Sequence, residues 1–266
     1  VSKWQDGLKR KVFFPQFHGR LHYNYSRYLK SLQENEKARF LFEQGINGGL
    51  ENFEASTYAY YSEYLNCDSE KAPEHLSTWF SDGLNQFEAI FGYKSVSTVC
   101  PNYVLPNKSF EVFSETAVKY LQASNKLLYI QGGQEKSNNF CKGTRLAKNL
   151  IANTRNHKFE PCRGKNEWNA DFSIWAAKTV LAQEIPFVYD THRMNYVGKF
   201  ASDSITQLKN VLDAVSKIKD VRFLTTVELG EALSNKGVYA DVFSGEKQKL
   251  TPKDNMIRKT IRQNYK

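Results

Sequence analysis

The stretch KVFFPQFHGRLHYN, residues 11–24, governs the reading of this 266-residue chain, because it joins a strand signal to a loop bearing two histidines. KVFFPQF is dominated by β-branched and aromatic residues and gives way at His18-Gly19-Arg20 to a polar run, which predicts a buried strand feeding a loop. NYSRYLKSLQ, from position 24, has the apolar spacing of a short helix with Asn24 or Ser26 as its cap, and the glycines at 45–49 end it. Upstream, VSKWQDGLKR is amphipathic and helix-like.

The same order of strand, loop and helix recurs downstream. PEHLSTWFSDGLNQFEAIF (73–91) sets Leu76, Trp79, Phe80, Leu84, Phe87, Ile90 and Phe91 at helical spacing, with Gly92 at the stop. SVSTVC (95–100) predicts a strand ended by Pro101-Asn102, and a helix is predicted over 109–120. KLLYIQG (126–132) predicts another strand, 144–153 reads as irregular, and AKTVLAQEI continues a helix that follows Trp168 and runs up to Pro186. PFVYDTH (186–192) is a short buried strand ending on a histidine; a helix over 204–218, a strand at RFLTT (222–226) and a helix at VELGEALS (227–234) complete the pattern.

This alternation predicts one α/β domain over 1–266, a parallel sheet with covering helices in barrel or open form, trailed by a basic tail from about 245. In either form chemistry gathers at the carboxyl ends of the strands. Three polar clusters stand there, at 18–22, 101–103 and 190–195.

Composition narrows the classes. Apolar residues at 41% and charged residues at 24% are ordinary for a globular enzyme, and no apolar run approaches the roughly 20 residues needed to span a bilayer. No signal-peptide pattern is present, the first residue is Val1, and the compartment, cytoplasmic or periplasmic, stays open. Cys67, Cys100, Cys141 and Cys162 form no Cys-x-x-Cys pair, which favours free thiols over a cysteine zinc site or a disulfide framework. The net charge of +9 favours an anionic partner. No Lys/Arg-rich helix or RNA-binding aromatic strand motif accompanies it, so nucleic acid is not expected. The 15 Tyr and 18 Phe read first as core, although such rings also serve as sugar platforms.

His18 and His22 are four apart, so both imidazoles can face one metal, and imidazole suits zinc and its neighbours. From the spacing alone the motif is weak, and hydrogen bonding within a loop is the favoured reading. The pattern is not the zinc-protease helix motif, because Gly19 stands where that motif has its glutamate. Arg155 and Glu160 in TRNHKFEP read either as a buried ion pair or, for Arg155, as a fork for a carboxylate. His75 and His157 read as incidental, His157 in a basic loop.

Taken in order, HGRLHYN (18–24), CPNYV (100–104) and VYDTHRMNYVG (188–198) resemble successive motifs of the NodB-like polysaccharide deacetylases. The closest likeness is to a bacterial subgroup with PQFHGR-x-H-x-N, RN-x-x-FEP and THR-x-N signatures, and it covers roughly 11–198. The resemblance implies a distorted (β/α) barrel that removes N- or O-acetyl groups from an oligo- or polysaccharide with a divalent metal, usually zinc. It implies His18 and His22 as metal ligands, the backbone N–H of Tyr103 as an oxyanion donor, and His192 as the general acid. Asp171, ranked ahead of Asp190, is the expected carboxylate beside His192, while Asn102, Arg155, Glu160, Arg193 and Asn195 are expected to line the substrate site.

One departure stands out. The family's first motif supplies aspartates from an opening strand, and before Lys11 only Asp6 is present, in its helix-like setting. The expectation is therefore a barrel lacking its first βα unit in this chain, with weak metal binding by the chain alone, or else a non-catalytic carbohydrate-binding barrel.

Overall fold

The computed structural model describes residues 2–22, 24–46, 76–131, 134–139 and 142–234. Cys67, Cys141, His75 and the basic tail from about 245 lie outside them. The chain divides into two compact units, Val1–Asn153 with Thr225–Gly230, and Thr154–Leu224 with Glu231–Lys266. Both are mixed helix and strand, as the alternation predicted.

The first unit begins with helix α1 (Ser2–Lys9), followed by α2 (Tyr25–Glu34) and α3 (Glu36–Glu43). Asn35 caps α3, its Oδ1 accepting from the N–H groups of Lys37 and Ala38, as short polar side chains do at a helix start. Helix α4 (Leu76–Phe91) buries Leu76, Phe80, Gly83 and Phe87 along one stripe and stops at Gly92, whose φ of +79° a side chain would resist. Strand β1 (Ser97–Val99) leads to α5 (Ser109–Ser114), β2 (Tyr120–Ala123), the antiparallel hairpin β3 (Lys126–Gln131) and β4 (Gln134–Asn139), then β5 (Arg145–Ala147) and β6 (Leu150–Thr154). The main sheet runs β1-β2-β6-β5, with β1 and β2 parallel and β5 and β6 antiparallel. Its core is aromatic: Phe17 meets Phe80 edge-on at 5.0 Å, and Phe80 stacks on Phe113 at 4.2 Å, pairings worth about 1 kcal/mol beyond their buried area.

The second unit contains β7 (His157–Lys158), α6 (Ala170–Leu181), β8 (Tyr189–Asp190) and α7 (Ala201–Ser216). β7 and β8 pair in parallel, His157 opposite Tyr189 and Lys158 opposite Asp190. Phe159, Ala170, Ala177, Val211 and Val215 form its separate core. The last described helix is α8 (Thr226–Ser234).

Several expectations need correction. The strand over 11–17 shrinks to a single parallel bridge between Phe17 and Thr98, because Pro15 offers no N–H to a ladder, and Val12, Phe13 and Phe14 are exposed. The helix over 109–120 ends at Ser114: the Thr116 hydroxyl donates to the Phe113 carbonyl at 2.7 Å and accepts from the Val118 N–H at 3.2 Å, a local alternative to the helical ladder. The irregular stretch 144–153 holds β5 and most of β6, and β6 is buried at every position, so no alternation marked it. RFLTT is no strand; Thr225 caps α8 in a capping box, its N–H donating to Glu228 at 2.7 Å and its hydroxyl accepting from the Glu228 N–H at 3.2 Å. Among the described residues the strands form sheets of four, two and two and do not close into a barrel, and no helix is long and apolar enough to cross a membrane.

Candidate functional site

Two clusters of functional side chains form, one in each unit. In the first, the Phe17 N–H donates to the Ser95 hydroxyl at 3.1 Å and the Phe17 carbonyl accepts from the Val99 N–H at 3.2 Å. The Phe17 ring is buried against α4, which passes so near at Gly83 that a Cβ there would lie 2.8 Å from the ring and 2.9 Å from Cβ of Arg20. Arg20 is tied to Asp82 of the same helix at 2.5 Å. His18 therefore leaves a fixed strand end and reaches the surface.

The His18 Nδ1 lies 2.9 Å from the Val99 carbonyl oxygen. A carbonyl only accepts, so Nδ1 carries the proton and the ring's lone pair sits on Nε2, the usual preparation of a metal-binding imidazole. The His22 ring is 5.6 Å away, inclined at 64°. Two imidazoles on one tetrahedral zinc, with Zn–N about 2.1 Å, have their centres about 5 Å apart. The separation of the two rings is of that order. Among the described residues no group of three or more His, Cys, Asp or Glu side chains is arranged to hold a metal. Asp6 lies on α1 in an exposed pair with Arg10 at 3.3 Å.

The turn Pro101–Tyr103 follows β1. Asn102 and Tyr103 have φ of +47° and +59°, a left-handed pair of non-glycine residues that costs roughly 1–2 kcal/mol each. The Tyr103 N–H, expected as an oxyanion donor, donates to the Cys100 carbonyl at 3.1 Å, closing the turn.

The second cluster surrounds His192, whose side chain is 59% exposed while that of Glu160 is 1% exposed. The β7–β8 register makes 158 face 190, and the Phe159 N–H extends it by donating to the Asp190 carbonyl at 2.8 Å. Two residues on, Glu160 and His192 meet, the His192 Nδ1–H donating to the Glu160 carboxylate. The other oxygen of Glu160 accepts from the Asn195 amide at 2.7 Å. That amide also donates to the His192 carbonyl at 2.8 Å and to the Thr191 hydroxyl at 3.3 Å, and the Asn195 oxygen accepts from the Cys162 N–H at 3.2 Å. Thr191 bonds the Tyr196 hydroxyl at 2.9 Å, and burial, with the Glu160 charge adding, pushes that phenol above its ordinary range.

This arrangement changes several assignments. Asp171 lies exposed in the first turn of α6, and the carboxylate on His192 is Glu160. Glu160 and Asn195, expected to line the substrate site, are buried behind His192 and bonded to it. Arg155 pairs with Asp190 at 3.4 Å, both largely buried, in place of the expected Arg155–Glu160 pair. Arg193 is exposed beside His192. His157 is no loop residue: it is buried in β7, bonded to the Ser173 hydroxyl at 2.7 Å between the rings of Phe172 and Phe187, and burial pulls its pKa down to about 4. Cys100 is buried and Cys162 half-buried, both as free thiols.

Sequence reasoning missed the role of Glu160. The signal was present in the two strand ends, FEP and DTH, but only the pairing of β7 with β8 aligns them. No family model, no curated protein and no solved structure matches this chain.

Proposed function

We propose that this chain is a metal-dependent carbohydrate deacetylase of the NodB-like type, built on a distorted (β/α) barrel. The observation that carries the reading is the exposed His192 imidazole backed by the buried Glu160 carboxylate, itself held by Asn195.

Glu160 keeps the proton of the neutral ring on Nδ1, so Nε2 is the nitrogen that takes up and gives back a proton on the exposed side. A positioned histidine of this kind contributes about 10²–10⁴ in rate when it protonates a leaving amine or alcohol. Asn195, bonded at four points, prevents Glu160 from turning away. A divalent metal held by His18 and His22 would supply polarisation of the acyl carbonyl and of the attacking water.

The test is acetate release from N-acetylglucosamine oligosaccharides by the zinc-loaded protein. Release that is abolished by a chelator and strongly reduced by His192→Ala is expected. Release indifferent to both would overturn the reading, and oligosaccharide binding with no release would replace it with a carbohydrate-binding barrel.

A further inference from the structure

We infer that the ligand taken beside His192 is an acidic glycan, whose carboxylates are read by a group of cations fixed around the Glu160–His192 pair. The carbohydrate part of this statement rests on the deacetylase reading; the anionic part rests on the following contacts.

Five cationic side chains stand in the segments that build the pair: Lys158, Arg163, Lys165, Arg193 and Lys199. All but the half-buried Lys158 are exposed, and none forms an ion pair among the described residues. Their placement follows from bonds already described. Arg163 ends the short turn Pro161–Arg163 directly after Glu160, and Gly164 at φ +66° then reverses the chain toward Lys165. The Arg163 guanidinium contacts the Met194 sulfur at 3.7 Å, which brings it beside Arg193 and His192. Trp168, whose carbonyl accepts from the Glu160 N–H at 3.1 Å, holds the Lys165 and Lys158 ammonium groups over its ring at 4.3 and 5.3 Å. Lys199 sits similarly over Phe200 at 5.0 Å.

Against these five, the same loops carry Glu167, and α6 and α7 carry Asp171 and Asp203 in their first turns. Glu160 is already spent on His192 and Asn195. The surface around the exposed imidazole is therefore cationic in excess. Three of its ammonium groups are restrained by aromatic rings, which lowers the entropy lost when they bind an anion. Guanidinium forks at Arg163 and Arg193 suit carboxylates, and exposed Met194, Val197 and Phe200 beside them suit the apolar face of a pyranose.

The experiment titrates the full chain, by calorimetry, with two hexasaccharides: one alternating N-acetylglucosamine with glucuronic acid, the other N-acetylglucosamine alone. At low ionic strength the acidic sugar should bind at least about tenfold tighter, the weight of one charge-assisted hydrogen bond. That advantage should shrink as salt shortens the screening length below about 10 Å. Arg163→Gln and Arg193→Gln should each remove about tenfold of affinity for the acidic sugar and leave the neutral one unchanged. Lys217→Gln, at the far end of α7 and about 24 Å along its axis, should change neither. Equal affinity for the two sugars, binding of neither, an equal loss in Lys217→Gln, or displacement by an oligonucleotide of matched charge would overturn the inference. If the acidic sugar binds as expected yet loses no acetate with zinc present, the deacetylase reading fails and the acidic-glycan site stands.

Discussion

His18 and His192 are both exposed histidines just past the end of a parallel pairing, yet they are anchored in opposite ways. The Nδ1 of His18 meets a backbone carbonyl, and that of His192 meets a buried carboxylate. A carbonyl selects a tautomer without adding charge, which leaves an imidazole suited to donating its lone pair to a cation. A carboxylate selects the same tautomer through a charge-assisted hydrogen bond that holds the ring more firmly, which suits an acid and base whose Nε2 must stay aimed. The neighbours agree with this division: a second imidazole at 5.6 Å for His18, an amide clamp and cationic surroundings for His192. What lies behind a histidine separates two roles that the bare residue does not.

The comparison is broken most directly at Glu160. Glu160→Gln keeps the shape but replaces an acceptor-only carboxylate with an amide, and turnover should fall by about 10³–10⁴. The chemical shift of the His192 Nδ1–H should change, while metal affinity at His18 and His22 is unchanged. Unaltered turnover would make the pair structural.

The buried histidine of the second unit gives the next effect. His157 has its pKa pulled from 6.5 to about 4, chiefly by burial. The unfolded chain therefore takes up this proton at a higher pH than the folded one. The contribution to stability is complete above about pH 6.5 and is lost as pH falls toward 4, a change of about 3 kcal/mol. Urea unfolding at pH 7.5 and 4.5 should display that loss in the wild type and less of it in His157→Gln. An identical pH dependence in both proteins would assign the acid sensitivity elsewhere.

How far the sequence foretold this follows from where the signals lay. Helices with an apolar stripe, such as α4, were legible because the 3.6-residue period survives in Leu76, Phe80 and Phe87. β6 was not, since it is buried on both faces and shows no period of two. KVFFPQF was over-read because propensity outweighed Pro15. At the site, His18 and His22 were found as a local pair and do lie together. Glu160 was recognised as a site residue but given the wrong partner, because its neighbour 32 positions away depends on strand register.

Metal affinity sharpens the other half of the comparison. His18→Ala should weaken zinc or cobalt binding by about 100-fold or more, as loss of a direct ligand exceeds the 10–100-fold typical of outer-shell changes. His192→Ala should leave affinity within a few fold and reduce turnover. With two imidazoles as protein ligands, the wild-type chain itself should bind weakly compared with a three-ligand site. Equal loss of metal in the two variants would make His192 a ligand and erase the distinction between the clusters.

The smallest expected effect lies at Gly83, where helix propensity and packing oppose one another. Alanine inside a helix is favoured over glycine by about 1 kcal/mol. Here its Cβ would fall 2.8 Å from the Phe17 ring and 2.9 Å from Cβ of Arg20, and overpacking of that kind costs typically 1–3 kcal/mol. The cost outweighs the gain, with a net loss of about 1 kcal/mol. The strain falls on the segment that carries His18, because Phe17 is pinned by Ser95 and Val99 and relief must come through residues 18–20. Gly83→Ala should therefore lower cobalt affinity a few fold, with the Nδ1–H signal of His192 unchanged. Asp82→Asn, which removes only the surface link to Arg20, should cost less than about 1 kcal/mol and serves as the control. A Gly83→Ala protein that is more stable than wild type and holds cobalt equally well would show that Phe17 yields freely, and that α4 does not set the position of His18.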